Sequence, residues 1–201
     1  PALEVRGIML DIGRDKIPQM QTLYTLIDLF GRMRINHLQL YMEGFCFDYP
    51  QYRYLFSDET PLTAEEFRSL SAYARARFID LVPNQNVLGH MEKWLERPQF
   101  RHLAECEDGY IFNNLFWRPP MTLDVYDPGS IALAKELLDT LLANSDSDYV
   151  NLNLDEPFEM GMGKNKELAD RDGRLKLYFD YVNKLNSYCR TKGKKMMMWG
   201  D

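Results

Sequence analysis

Tyr149-Val-Asn-Leu-Asn-Leu-Asp-Glu-Pro157 is the stretch on which the fold turns. Val150, Leu152 and Leu154 alternate with Asn151, Asn153 and Asp155. A period of two marks a strand with one apolar and one polar face. Asp155 continues the polar column, and Glu156 follows where the strand gives way to a loop. Pro157 is expected to hold Glu156 in extended backbone, and it cannot donate to a sheet ladder. Two adjacent carboxylates at the carboxyl end of a strand can form an acid/base site. A surface strand with an acidic turn is the plainer alternative.

Outward from this stretch, strand and helix patterns alternate along the whole chain. Val5-Arg-Gly-Ile-Met-Leu10 is a short apolar strand ending at Asp11. A helix follows from about Pro18, with Leu23, Leu26, Ile27 and Phe30 at helical spacing. His37–Tyr41 is the second strand, and the aromatic segment Phe45–Phe56 is too irregular for a regular element. Thr63-Ala-Glu-Glu66 is a capping box opening a second helix, with Phe67, Leu70, Ser71 and Ala74 on one face. Phe78–Val82 is the third strand. A long connection from Asn84 to Tyr126 carries Gly89-His90 and one short helix near Met91–Leu95. Asp127-Pro128 caps a helix over Ile131–Leu142, the quoted stretch is the fourth strand, and an amphipathic helix from Leu175 to Cys189 ends at Gly193. Met196-Met-Met-Trp199 is the fifth strand.

Such alternation implies a parallel α/β sheet with crossover helices. It fits either a doubly wound sheet or part of a (β/α)8 TIM barrel. No glycine-rich phosphate loop follows any strand, which weakens the nucleotide-binding version. Asp11, Arg14, Glu43, Gln85, Asp155, Glu156 and Asp201 all fall on the carboxyl side of strands, where both architectures build ligand sites.

Composition narrows the function. The chain has 201 residues, 45% of them hydrophobic, with a net charge of −6. That suits one packed core. The acidic balance, without a basic stripe, argues against a nucleic-acid partner. No apolar run approaches the roughly 18 residues of a membrane span, so no membrane partner is expected. Cys46, Cys106 and Cys189 lack metal-ligand or redox spacing and favour a reducing, cytoplasmic compartment. The opening Pro1-Ala-Leu-Glu and the ending Trp199-Gly-Asp201 suggest an internal piece of a longer protein.

The ordered motifs resemble the catalytic domain of glycoside hydrolase family 20, the exo-β-N-acetylhexosaminidases. Arg6-Gly-Ile-Met-Leu-Asp11-Ile-Gly-Arg14 is similar to the family's first-strand R-G-x-x-x-D-x-x-R. Leu40-Tyr41-Met-Glu43 matches the second strand of one branch. Pro83 to Gly89-His90 resembles the third-strand P…G-H segment, and Asp155-Glu156 the paired D-E. Gly161-Met-Gly-Lys164 is similar to a G-x-G-K segment of that branch, and Trp199-Gly-Asp201 to W-x-[DE]. The chain departs from the family at Asn153-Leu154, where G-G or G-x is common, and at Asn86-Val-Leu-Gly-His90, where D-x-P-G-H is usual.

The resemblance implies substrate-assisted retaining hydrolysis of terminal β-linked N-acetylhexosamine from glycans, one of the exceptions to the two-carboxylate rule. Glu156 would be the general acid, and Asp155 would orient the substrate's acetamido group and stabilise its developing charge. Arg6 would bind sugar hydroxyls, Trp199 would wall the pocket, His90 would support Glu156 or line the site, and Asp201 would contact hydroxyls. Asp11, Arg14 and Glu43 are expected to form a buried charge network rather than to touch substrate. The partner is carbohydrate, and no metal or organic cofactor is implied. Two other readings stay open: a two-carboxylate retaining β-glycosidase using Asp155-Glu156-Pro157, and a non-catalytic carbohydrate-binding relative. Residues 1–201 are expected to be a partial (β/α)8 catalytic domain of about five βα units. Its strands, at Ile8, Leu38, Leu81, Leu152 and Met197, should be neighbours in sequential order, with the rest of the barrel lying outside this chain.

Overall fold

A computed structural model of the chain describes residues 2–200. Five parallel strands form its spine: β1 (Gly7–Asp11), β2 (His37–Tyr41), β3 (Asp80–Val82), β6 (Tyr149–Asn151) and β7 (Lys195–Met197). Between β3 and β6 lies a small antiparallel hairpin, β4 (Tyr110–Phe112) and β5 (Phe116–Arg118). The helices are α1 (Met20–Arg32), α2 (Ala64–Arg75), α3 (Glu92–Leu95), α4 (Pro128–Leu142), α5 (Lys166–Asp172) and α6 (Arg174–Thr191).

Pairing follows chain order. Ile8 lies beside Leu38 and Leu38 beside Leu81. The step from β3 to β6 is made by a parallel bridge between Asn84 and Asn151, with the Asn151 N–H donating to Pro83 O at 2.9 Å and the Gln85 N–H donating to Asn151 O at 3.0 Å. Val150 then lies beside Met196. Sequential parallel order is the winding of a (β/α) barrel; a doubly wound sheet reverses direction at a switch point. Among the described residues β1 and β7 do not pair with each other.

The local signals account for most boundaries. Thr63 caps α2 through a capping box with Glu66. The Asp127 carboxylate accepts the Gly129 N–H at 2.7 Å, and Pro128 takes the first turn of α4. The segment between β2 and α2 contains a short 3₁₀ turn, Pro50–Leu55, and its aromatics are core: Phe45, Phe47, Tyr49 and Phe56 are buried around Trp94 of α3. The hairpin and α5 have no counterpart in the sequence reading. The third strand also starts later than expected, because Phe78 turns at φ 61° and is 90% exposed. No helix among the described residues is long and apolar enough to cross a membrane.

The alternation in the fourth strand has an unexpected outcome. Val150, Leu152 and Leu154 pack on α4 and α6 beside Leu138, Tyr181 and Leu185. The polar column is buried as well. Asn151 donates to Gln39 at 2.8 Å, Asn84 donates to the same oxygen at 2.9 Å, and the Asn153 and Asn84 amides exchange bonds of 2.7 and 3.1 Å. An amide ladder therefore fills the inner face from β2 to β6. Each buried amide finds a partner there, which removes the cost of burying it unsatisfied. The plain reading of a half-solvated surface strand does not survive this burial.

Candidate active site

Asp155 and Glu156 lie just past the carboxyl end of β6, held by an unusual backbone. Asn153, Leu154 and Glu156 have φ of 58°, 62° and 47°. The left-handed region costs an ordinary residue about 1–2 kcal/mol. Asparagine tolerates it better, which explains how Asn153 stands where glycine is common. Its side chain is fixed by Asn84, and its carbonyl accepts the Trp199 N–H at 3.0 Å. The extended conformation expected of Glu156 ahead of Pro157 is not adopted. The turn swings its side chain outward, so Glu156 is 49% exposed while Asp155 is 13% exposed.

Behind the pair the long connection after β3 presses in. A Cβ added to Gly89 would lie 2.3 Å from the Asp155 carbonyl oxygen, so only glycine fits there. Gly89→Ala is therefore expected to destabilise the fold by roughly 1–3 kcal/mol and to displace both carboxylates. Thermal unfolding and activity should fall together, and an unchanged unfolding midpoint would contradict the contact. The other face of the loop is anchored by buried carboxylates. Glu159 accepts the Met121 and Thr122 N–H groups at 2.7 and 2.6 Å, and Glu105 accepts the Gly161, Gly163 and Asn165 N–H groups at 3.0–3.1 Å. The G-x-G-K segment thus ties the loop after β6 to the connection.

His90 sits at the centre of the acidic cluster. Its Nε2 is 3.4 Å from Asp155 Oδ2 and 3.4 Å from Glu156 Oε2, and its Nδ1 is 3.5 Å from Glu43 Oε2. Burial pushes its pKa down, but Asp155, Glu43 and Glu92 more than offset this and raise it to about 8. The imidazole is thus mostly charged at neutral pH and joins three carboxylates. A pKa raised on folding gives stability that is complete below the unfolded value near 6.5 and is lost as pH rises through about 8. The expected loss is ~2 kcal/mol. Unfolding midpoints across that window should fall for the native sequence and stay level for His90→Gln; parallel curves would remove His90 from this role.

Around the cluster, Glu43 accepts the Tyr41 hydroxyl at 3.0 Å, and Asn86 donates to Tyr41 at 2.8 Å. Burial, chiefly, pushes the Tyr41 phenol well above its ordinary pKa, so it stays a neutral donor. Burial likewise raises the Glu92 carboxyl. Asp155 Oδ1 is buried and has no hydrogen-bond donor among the described residues, as is true of Asn86 Oδ1 and Asp48 Oδ1.

Glu156 borders two cavities. The first, of about 450 Å³, is lined by Arg14, Glu43, His90 and the hairpin. The second, of about 580 Å³, is more apolar and is lined by Trp199, Pro157, Leu175, Tyr178 and Phe179. Asp155, Glu156 and His90 are thus brought together, and Trp199, 43% exposed, flanks Glu156. Asp201 lies outside the described residues.

Arg6 is not brought to the site. It precedes β1, at the amino end of the strand, whereas Asp155 and Glu156 follow the carboxyl end of β6. Its guanidinium donates to the carbonyls of Arg34 at 2.6 Å and Leu3 at 2.7 Å, clamping the chain entry. Of the two arginines of the first-strand motif it is Arg14 that reaches the cavity, paired with Asp11 at 2.5 Å. That pair is exposed rather than buried, with the Arg14 side chain 67% accessible, and the Asp11 hydrogen bond raises the Arg14 pKa. The sequence held the signal: Arg14 follows its strand and Arg6 precedes it, and only the former lies on the carboxyl face.

Comparison with known proteins places this geometry. The profile of "Glycosyl hydrolase family 20, catalytic domain" matches residues 4–201. A lacto-N-biosidase of Bifidobacterium bifidum is 24% identical over 149 residues, which is 69% of this chain and 13% of that protein. Flavobacterium johnsoniae chitobiase superposes with a TM-score of 0.83 at 23% identity, covering 97% of this chain and 31% of that one. The β-N-acetylhexosaminidase of Bacteroides fragilis superposes with a TM-score of 0.79 at 21% identity, covering 100% and 42%. The chain therefore spans less than half the length of these relatives. The structural likeness shows the fold, that of a TIM barrel. From the ordered motifs, the sequential parallel winding and the profile match together, the chain belongs to glycosyl hydrolase family 20.

Proposed function

We propose that the protein carrying this chain is an exo-acting glycosidase that removes terminal β-linked N-acetylhexosamine, GlcNAc or GalNAc, with retention of configuration. Glu156, accessible and at the mouth of both cavities, protonates the leaving glycosidic oxygen. The 2-acetamido oxygen of the substrate attacks the anomeric carbon to give a cyclic oxazolinium-like intermediate, and Asp155 accepts the acetamido N–H. Glu156 then takes a proton from the water that opens the ring. His90 holds the two carboxylates in place, Trp199 walls the terminal sugar, and Arg14 donates to substrate hydroxyls.

The observation that carries this reading is the gathering of two adjacent carboxylates on one imidazole, with His90 Nε2 3.4 Å from both Asp155 Oδ2 and Glu156 Oε2 and Glu156 bordering both cavities. Proton NMR of the first product tests the reading. Free N-acetylhexosamine should appear as the β-anomer before mutarotation, and an α-anomer would overturn it.

The five βα units are best read as the first five of eight. The outer edges of β1 and β7, unpaired among the described residues, support this, as does the apolar groove lined by Leu175, Phe179 and Trp199. The remaining units would cover that groove and close the sugar pocket from the other side.

A further inference from the structure

We propose, resting on the hexosaminidase reading, that one face of the β4–β5 hairpin is a platform for the sugar on the leaving side of the scissile bond. The hairpin pairs Tyr110 with Arg118, Ile111 with Trp117 and Phe112 with Phe116. Directly paired residues share a face, so Tyr110, Phe112, Phe116 and Arg118 lie on one side and Ile111 and Trp117 on the other.

The first side is continuous with the catalytic cavity. Tyr110, Phe112 and Arg118 line the same space of about 450 Å³ as Glu156 and His90, and so does Phe158, two residues beyond Glu156. Phe112 makes the bridge, its ring centroid 5.0 Å from that of Phe158 and 5.6 Å from that of Phe116. Phe116 nevertheless remains 48% exposed. The Arg118 guanidinium lies 5.5 Å from the Phe116 ring centre and 5.9 Å from that of Phe112, and it forms no ion pair among the described residues.

An exposed ring with a guanidinium fork of donors beside it suits one ligand chemistry well. A pyranose has an apolar C–H face for an aromatic ring and a rim of hydroxyls for a guanidinium. Position then selects which sugar. Trp199 flanks Glu156 from the second cavity, where the terminal residue is walled. Glu156 delivers its proton to the glycosidic oxygen, so whatever lies beyond that oxygen falls across Glu156 from Trp199, in the cavity the hairpin rims.

The test compares two donors in the full-length protein: N,N′-diacetylchitobiose, which has a leaving sugar, and 2-acetamido-2-deoxy-β-glucopyranosyl fluoride, which has none. Phe116→Ala should lower kcat/KM for the disaccharide about tenfold, the scale of one lost aromatic stack, and leave the fluoride unchanged. Trp117→Ala, on the opposite face, should change neither. Equal losses on both donors for Phe116→Ala would assign the hairpin to the terminal sugar and overturn the proposal, as would no loss on either. If the unsubstituted protein cleaves neither donor, the hexosaminidase reading itself fails and the platform falls with it.

Discussion

Glu156→Gln is expected to lower the turnover of substrates with poor leaving groups by about 10²–10⁴-fold, the usual worth of a positioned general acid. Activated aryl glycosides should keep far more of their rate in the first step, because a good leaving group departs without a proton. The structure gives this a specific form. Glu156 is the more exposed of the pair and borders both cavities, whereas its neighbour is turned inward. The amide is isosteric and keeps a polar contact toward His90, so the fold should be unaffected. Rates on a natural disaccharide and on a nitrophenyl glycoside decide the matter. Equal losses on both would remove Glu156 from the acid role.

Asp155→Asn should reduce turnover of 2-acetamido substrates by about 10²–10³-fold, the scale of a lost electrostatic stabiliser. The Michaelis constant should change little. Charge on the acetamide develops only as it attacks the anomeric carbon, so an interaction with that charge acts on the transition state and not on bound substrate. Asn can still accept from the N–H but brings no negative charge. The substitution also takes a carboxylate from His90, which Asp155 helps to keep protonated, so the alkaline limb of stability should move to lower pH. Unchanged turnover with a raised Michaelis constant would mean that Asp155 only holds the substrate before reaction.

Much of this architecture is legible in the sequence because its signals are local. The capping box at Thr63 and the Asp127-Pro128 start of α4 each state an element in a few residues, and both stand in the structure, whereas the period of two over Val150–Leu154 finds its strand but overstates its length, since β6 ends at Asn151 and the chain turns left-handed at Asn153 and Leu154. Order along the chain then supplies the sequential sheet. What escaped depends on direction and on distant partners. Motif membership points to Arg6 as readily as to Arg14, because it does not say which end of a strand a residue occupies. The buried amide ladder could not be read from Asn151 and Asn153 alone, since its other members, Gln39 in β2 and Asn84 just past β3, come from distant parts of the chain. The left-handed turn at Glu156 overrode the preference that Pro157 imposes, because the loop is fixed from both sides by Gly89 and Glu159.

The hairpin carries a local signal in its turn. Asn113 and Asn114 take φ of 50° and 57° between the aromatic runs Tyr110–Phe112 and Phe116–Arg118. Paired asparagines between such runs are turn formers of the left-handed kind. The runs are only three residues each, and neither shows a clear apolar face: Tyr110 is buried, whereas Phe116 and Trp117 are half exposed.

The most direct test of the central claim compares a chromogenic 2-acetamido-2-deoxy-β-glycoside with its 2-hydroxy counterpart, using the full-length protein. If the substrate's acetamide is the nucleophile and Asp155 its partner, only the acetamido glycoside is cleaved, and Asp155→Asn removes most of that activity. Comparable cleavage of the 2-hydroxy sugar would contradict the account and point to a two-carboxylate enzyme. Binding of sugar with cleavage of neither glycoside would contradict it equally and leave a carbohydrate-binding relative.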